Sequence, residues 1–296
     1  MTSRVRTLQV FALSVALVLA FTLAPVALAA PTDHWVGAWA ASPISANNPD
    51  GRFGAADTTY REIVHVSLGG SRIRIVLSNE FGTDSLTIGA AHAALSLGKG
   101  NIDTAHAADL TFGGKPSIVI PPGALAVSDP ADLKLPAFAD LAVSFFVPAQ
   151  PIQRVSLHSF ANQTSYAAAG NAVSAASLDS AKEIYAWPFL KGVDVFASGK
   201  AASIVAFGDS ITDGDHSTRD ANARWPDVLA RRLQSDKKTS SLSILNEGID
   251  GNRILHDNAG PSALARFDRA VISQAGVKYV VVLEGINDIG HATAPV

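Results

Sequence analysis

Ser210 closes the run Ile204-Val-Ala-Phe-Gly208-Asp209-Ser210, and Ile211-Thr-Asp213-Gly214 follows it. An apolar stretch gives way to a glycine, an acid and a hydroxyl. A buried parallel strand ending this way delivers one serine Oγ to the rim of its sheet, where open α/β sheets place their sites. The fitting chemistry is attack of that hydroxyl on an acyl carbonyl. It requires a base beside the serine and preorganised donors for the oxyanion. Two more apolar runs end alike. Ser241 to Leu245 leads into Asn246-Glu247-Gly248-Ile249-Asp250-Gly251-Asn252-Arg253, and Val277 to Leu283 leads into Glu284-Gly285-Ile286-Asn287-Asp288. Turn residues at one strand end are ordinary; three such ends on one sheet edge make a site pattern.

The elements that must position these residues follow from periodicity. Ser203 to Phe207 is short and continuously apolar, as a strand covered on both faces is. Trp225-Pro226 opens a helix, with proline where its missing N–H costs nothing, and Val228, Leu229 and Leu233 are expected on its apolar face. Ser262 to Ala275 is expected as a second helix, with Leu264, Phe267 and Val271 three and four apart. Strand, helix, strand, helix, strand implies crossover units and a parallel sheet. Upstream, Asp33 to Phe196 shows strand candidates at Tyr60 to Leu68, Ser71 to Leu77, Leu86 to Ala90, Ser117 to Ile120, Leu141 to Val147 and Arg154 to Ser159, with no helical period. Gly69-Gly70 between the first two predicts a hairpin. Many short strands with Gly/Pro turns predict an antiparallel sandwich.

The 296 residues are 48% apolar and carry a net charge of −3, which offers nothing to nucleic acid or an anionic membrane surface. With no cysteine, disulfides and thiolate metal sites are excluded, and the eight histidines show no metal-ligand spacing. No cofactor is expected. Arg4 and Arg6, an apolar run from Leu8 to Leu23 and Ala27-Leu28-Ala29 predict a signal peptide over residues 1–29, cleaved after Ala29. The expected protein is therefore secreted or periplasmic, with no membrane span once the leader is removed.

The three strand-end blocks resemble those of the SGNH, or GDSL, hydrolase superfamily. Gly208-Asp209-Ser210-Ile211 matches its first block, Gly251 within Asn246-x-x-Ile249-x-Gly251 its second, and Gly285-Ile286-Asn287-Asp288 its third. His34-Trp-Val-Gly-Ala-Trp-Ala-Ala-Ser-Pro43 and Leu77-Ser78-Asn79-Glu80-Phe81-Gly82 also resemble a secreted subgroup with an N-terminal β-sandwich. The resemblance implies an α/β chain. A jelly-roll-like antiparallel β-sandwich over 30–199 precedes, over 200–296, the first three strands of a flavodoxin-like, three-layer α/β/α hydrolase domain. It implies an exported serine esterase acting on an acetylated polysaccharide, a lipid or a small acyl ester. Ser210 would be the nucleophile. The oxyanion donors would be the Ser210 and Gly251 N–H groups and the Asn287 amide, with Asp209 and Asp288 in support. At Gly251 a side chain would obstruct the oxyanion's approach.

The family supplies its base and acid as an Asp-x-x-His element after a fifth strand, so a C-terminally truncated chain of little activity is expected. Asp213-Gly-Asp-His216 and Asp288-Ile-Gly-His291 match that spacing but occupy the wrong places, and His256 is expected at the surface. A pseudoenzyme is the rival, in the form of an exported carbohydrate-binding module with a vestigial hydrolase half. Trp35 and Trp39, able to stack on sugars, are expected in the core or at a domain interface.

Overall fold

The computed structural model describes residues 32–292; the predicted signal peptide lies outside them. The first stretch runs entirely in strands: β1 (His34–Ala40), β2 (Ile44–Asn47), β3 (Thr58–His65), β4 (Ile73–Ser78), β5 (Leu86–Ile88), β6 (Ala90–Gly98), β7 (Asn101–Leu110), β8 (Ile118–Ile120), β9 (Leu125–Val127), β10 (Asp140–Val147), β11 (Arg154–His158), β12 (Ser165–Ala169), β13 (Lys182–Ile184), β14 (Trp187–Pro188) and β15 (Leu190–Ala197). Strands and short helices then alternate: β16 (Ala202–Gly208), α1 (Ser210–Asp213), α2 (Trp225–Gln234), β17 (Leu242–Gly248), α3 (Ala263–Phe267), β18 (Val277–Leu283) and α4 (Ile286–Gly290).

Antiparallel pairing builds a four-stranded sheet, β1-β15-β4-β9, and a six-stranded one, β13-β12-β3-β10-β6-β7. Smaller sheets β14-β11-β2 and β5-β8 complete this part. One buried cluster joins residues of both large sheets, among them Trp39, Tyr60, Ile73, Ile75, Phe145 and Val193, with Trp187 of the small sheet. The Gly69-Gly70 hairpin is not formed. β3 pairs with β10 and β12, whereas β4 pairs with β15 and β9. The glycines instead carry the chain from one sheet to the other. A Cβ on Gly69 would stand 2.5 Å from the Leu135 carbonyl, and one on Gly70 2.7 Å from that of Phe196. Close backbone approach, rather than a tight turn, is what calls for glycine here. Trp39 is buried in the core, and Trp35 stacks edge-on against Phe196 beneath Arg72 and Arg74.

The later strands form a parallel sheet, β17-β16-β18. Every residue of β16 is buried because alternate side chains meet cover on opposite faces. Ile204 and Ala206 pack beneath α2 with Leu229 and Leu233. Val205 and Phe207 pack with Ala263, Phe267, Ala270 and Val271. Val228 does not share the apolar face of α2: it is half-exposed, because Pro226, Leu229, Ala230 and Leu233 set the helical stripe. Nor is Ser262 to Ala275 one regular helix. After α3 the chain widens into a π-helical turn over Asp268–Ile272. That turn brings Ala270 and Val271 onto the sheet and leaves Leu264 70% exposed. β18, the most apolar strand, is exposed along nearly its whole length.

A polar seam joins β1 to the parallel sheet. Gly37 N–H donates to the Ala275 carbonyl at 2.9 Å, and Ser243 Oγ donates to Gly37 O at 2.6 Å. Ser67 Oγ lies 2.9 Å from the Ala38 and Ile244 carbonyls and accepts from Ile244 N–H. The chain from Asp33 onward is accordingly one compact unit.

Candidate active site

Strand register sets the site. Gly208 on β16 lies opposite Gly248 on β17 and opposite Leu283 on β18, so the three blocks start from one line across the sheet. The helix α1 lies directly on that line. A Cβ on Gly208 would stand 2.2 Å from the Leu283 carbonyl, and one on Gly248 2.2 Å from the Asp213 nitrogen. Neither position admits a side chain.

Asp209 caps α1, its carboxylate accepting from Ile211 N–H at 3.0 Å. Ser210 is the first residue of that helix, and the Gly214 N–H, at φ 111°, closes it onto the Ser210 carbonyl. Gly251 adopts φ 74°, a left-handed conformation that glycine reaches without strain. The Asn287 amide donates to the Asn252 carbonyl at 2.9 Å; an asparagine NH2 carries a second hydrogen free to serve an oxyanion. Asp288 accepts from Ile254 N–H at 3.0 Å, with Arg253 Nε 4.0 Å away, tying the third block to the second.

The structure does not bring the Asp-x-x-His matches together as dyads. Asp213 is buried and bonds His158, whereas the His216 side chain is 92% exposed and pairs with its neighbour Asp215. His291 Nδ1 lies 2.7 Å from the Asn287 carbonyl. His256 is exposed. Among the described residues, no histidine hydrogen-bonds the Ser210 hydroxyl. None of the described His, Asp and Glu side chains group as a metal-binding set, and no described helix is long and apolar enough to cross a membrane.

Sequence reasoning missed the buried polar network beneath the site. Arg266, on α3, is 2% exposed. Its guanidinium donates to the carbonyls of Gly208 (2.8 Å) and Glu247 (2.7 Å), to Asn252 Oδ1 (2.8 Å) and to Ser42 Oγ (3.0 Å). It stacks over Phe207 at 4.0 Å and lies 3.6 Å from Glu284. It thus touches the end of every strand in the parallel sheet. Ser42 Oγ donates to the Glu247 carboxyl, and Gln274 Nε2 donates to the other oxygen at 2.7 Å. Burial pushes Glu247 up to about 7 against the pull of Lys191, Ser42, Arg266 and His158. Glu284 is raised to about 7 by burial, opposed by Arg266 and helped by Asp209 and Asp288. Burial likewise raises Asp209 and Asp250 and lowers Arg266 to about 10. An arginine beside the apolar positions of α3 was the one sequence signal available for this hub.

Residues 206–296 match the family described as GDSL-like Lipase/Acylhydrolase. Comparison with curated proteins gives no match. Among solved structures, a family two carbohydrate esterase from Clostridium thermocellum, in complex with cellohexaose, is similar at 14% identity and TM-score 0.26, covering 90% of this chain and 66% of that one. A family two carbohydrate esterase from Cellvibrio japonicus is similar at 12% identity and TM-score 0.23, covering 89% and 70%. Likeness this slight fixes neither fold nor substrate. The segment that matches the GDSL-like Lipase/Acylhydrolase family contains all three strand-end blocks, with Gly208 in register with Gly248 and with Leu283.

Proposed function

We propose that the protein is an exported serine esterase in which Ser210 attacks the acyl carbonyl. The Ser210 N–H, the Gly251 N–H and the Asn287 amide receive the oxyanion. Asp209 and Asp288 support them, as cap of α1 and as tie between the second and third blocks. The antiparallel sheets serve as a jelly-roll-like sandwich domain, and β16, β17 and β18 as the opening strands of a flavodoxin-like layer. The observation that carries the reading is the register of Gly208 with both Gly248 and Leu283. It puts the serine, the Gly251 turn and Asn287 two to four residues beyond a common line. The substrate is an acyl ester, in an acetylated polysaccharide, a lipid or a small molecule, and an exported enzyme meets the first two.

The test uses hydrolysis of a short acyl ester such as a nitrophenyl acetate, with covalent capture of the serine by a fluorophosphonate, in a protein extended by the family's Asp-x-x-His element, which would take the proton of the Ser210 hydroxyl. Ser210→Ala is expected to abolish both; full activity in that variant would overturn the nucleophile. A carbohydrate-binding module with a vestigial hydrolase half is the second reading. It draws on a cleft of about 590 Å³ lined by Asp50, Arg52, Asp57, Lys182 and Glu183, polar groups suited to sugar hydroxyls. Glycan binding without esterase activity would favour it.

A further inference from the structure

His158, at the end of β11, is surrounded by acceptors. Its Nδ1 lies 2.9 Å from the Ser42 carbonyl, and its Nε2 lies 3.0 Å from the Phe160 carbonyl and 3.1 Å from Asp213 Oδ1. A neutral imidazole has one N–H and one lone pair. Either tautomer would aim that lone pair at an oxygen, in a place without solvent: the two side chains are 6% and 3% exposed, and Trp187 covers the ring at 5.4 Å. Only the doubly protonated ring satisfies every partner. Asp213 is the last residue of α1, and its other oxygen accepts from Asp250 N–H at 2.9 Å, one residue before Gly251.

We propose that His158 is a buried imidazolium that positions the Gly251 turn through Asp213, a positioning residue contributed by the antiparallel half. The inference rests on the reading of the Gly251 N–H as an oxyanion donor. His158 makes no hydrogen bond to Ser210; it acts by holding one carboxylate between the serine helix and the turn. Burial alone would lower its pKa, but Asp213, by charge and hydrogen bond, and the Ser42 and Phe160 carbonyls leave it above the ordinary histidine value. The other charged groups facing the pair are Glu247 on β17, itself under the influence of Lys191 and Arg266, and, on the Asp213 side, Asp250 with Asp209 and Asp215. The link is complete while the ring is charged and is lost as pH rises through its folded pKa.

The test follows the ring nitrogens and backbone amides of the whole chain by NMR across pH. The His158 ring is expected to titrate above a free histidine side chain, and Asp213→Asn is expected to lower that midpoint. The Asp250 and Gly251 amides are expected to follow the His158 midpoint and to lose that dependence in His158→Gln. A His158 midpoint at or below that of a free histidine side chain overturns the proposal, as do amides indifferent to its titration. Asp213→Asn keeps the test decisive should His158→Gln not fold. Neither readout uses turnover, so failure here leaves the Ser210 assignment standing, and failure of that assignment leaves the titration result standing.

Discussion

The guanidinium of Arg266 donates to the carbonyl of Gly208 at 2.8 Å, two residues before the candidate nucleophile. The same group holds the Glu247 carbonyl, Asn252 Oδ1 and Ser42 Oγ. Arg266→Met leaves these acceptors and the nearby Glu247 and Glu284 carboxyls buried without their cation. Removing one partner of a buried ion pair typically costs about 3–5 kcal/mol, and urea unfolding is expected to show a loss of that order. Arg266→Lys keeps the charge but not the planar fork, and is expected to recover only part of it.

Asn287→Ala removes the proposed side-chain oxyanion donor and its hydrogen bond to the Asn252 carbonyl. In an active preparation kcat is expected to fall about 100- to 1,000-fold, the usual loss for one such donor. KM should change far less, because the oxyanion forms after binding. A rise in KM with kcat unchanged would assign Asn287 to substrate binding instead.

Glu62, on β3, is fully buried with both carboxyl oxygens unpartnered, and burial holds its pKa well above the ordinary 4.5. The folded protein therefore binds a proton that the unfolded chain releases, and stability falls as pH rises above about 4.5. Glu247 and Glu284, each raised to about 7, add to that loss between about pH 4.5 and 7. Glu62→Gln is expected to raise the denaturation midpoint at neutral pH and to change it little at pH 4. Equal effects at both values would show that ionisation is not what burial of Glu62 costs.

Gly248→Ala would put a Cβ 2.2 Å from the Asp213 nitrogen. Backbone cannot give way as a flexible side chain can, so α1 must lift off the strand ends. Loss of serine labelling along with reduced stability is expected. Gly251→Ala costs less stability, because its nearest neighbour is the Ala259 side chain at 3.0 Å and it chiefly meets the left-handed strain of about 1–2 kcal/mol, although its methyl would still crowd the proposed oxyanion. Equal losses of stability in the two variants would refute this ranking.

Much of the parallel half was legible because its signals are local. The apolar runs, the turn residues after them and the proline opening α2 each lie within a few positions. The misreadings came where tertiary context decides. β6, Ala90–Gly98, reads Ala-Ala-His-Ala-Ala and offers no alternation to detect, yet it pairs with both β7 and β10. Gly69-Gly70 looks like a turn whether it joins two strands of one sheet or carries the chain between sheets. The π-helical turn after α3 shifts the buried face without marking the sequence. The support of the site was out of reach for another reason. His158 reaches Asp213 across 55 positions and Ser42 across 116, and Ser42 reaches Glu247 across 205. No pattern of spacing predicts such pairs. Ser210, Gly251 and Asn287 could be named from their blocks; the residues that hold those blocks in register could not.

β18 delivers Asn287, yet Tyr279 and Val282 on it are 56% and 57% exposed, while β16 beside it is wholly buried. A strand with so little cover opens at lower free energy than the core it joins, and hydrogen exchange would register it as a separate, less protected unit. The fraction of molecules in which Asn287 holds the Asn252 carbonyl is then set by that local opening. Conditions that leave the global unfolding transition untouched can still part Asn287 from the turn that carries Gly251.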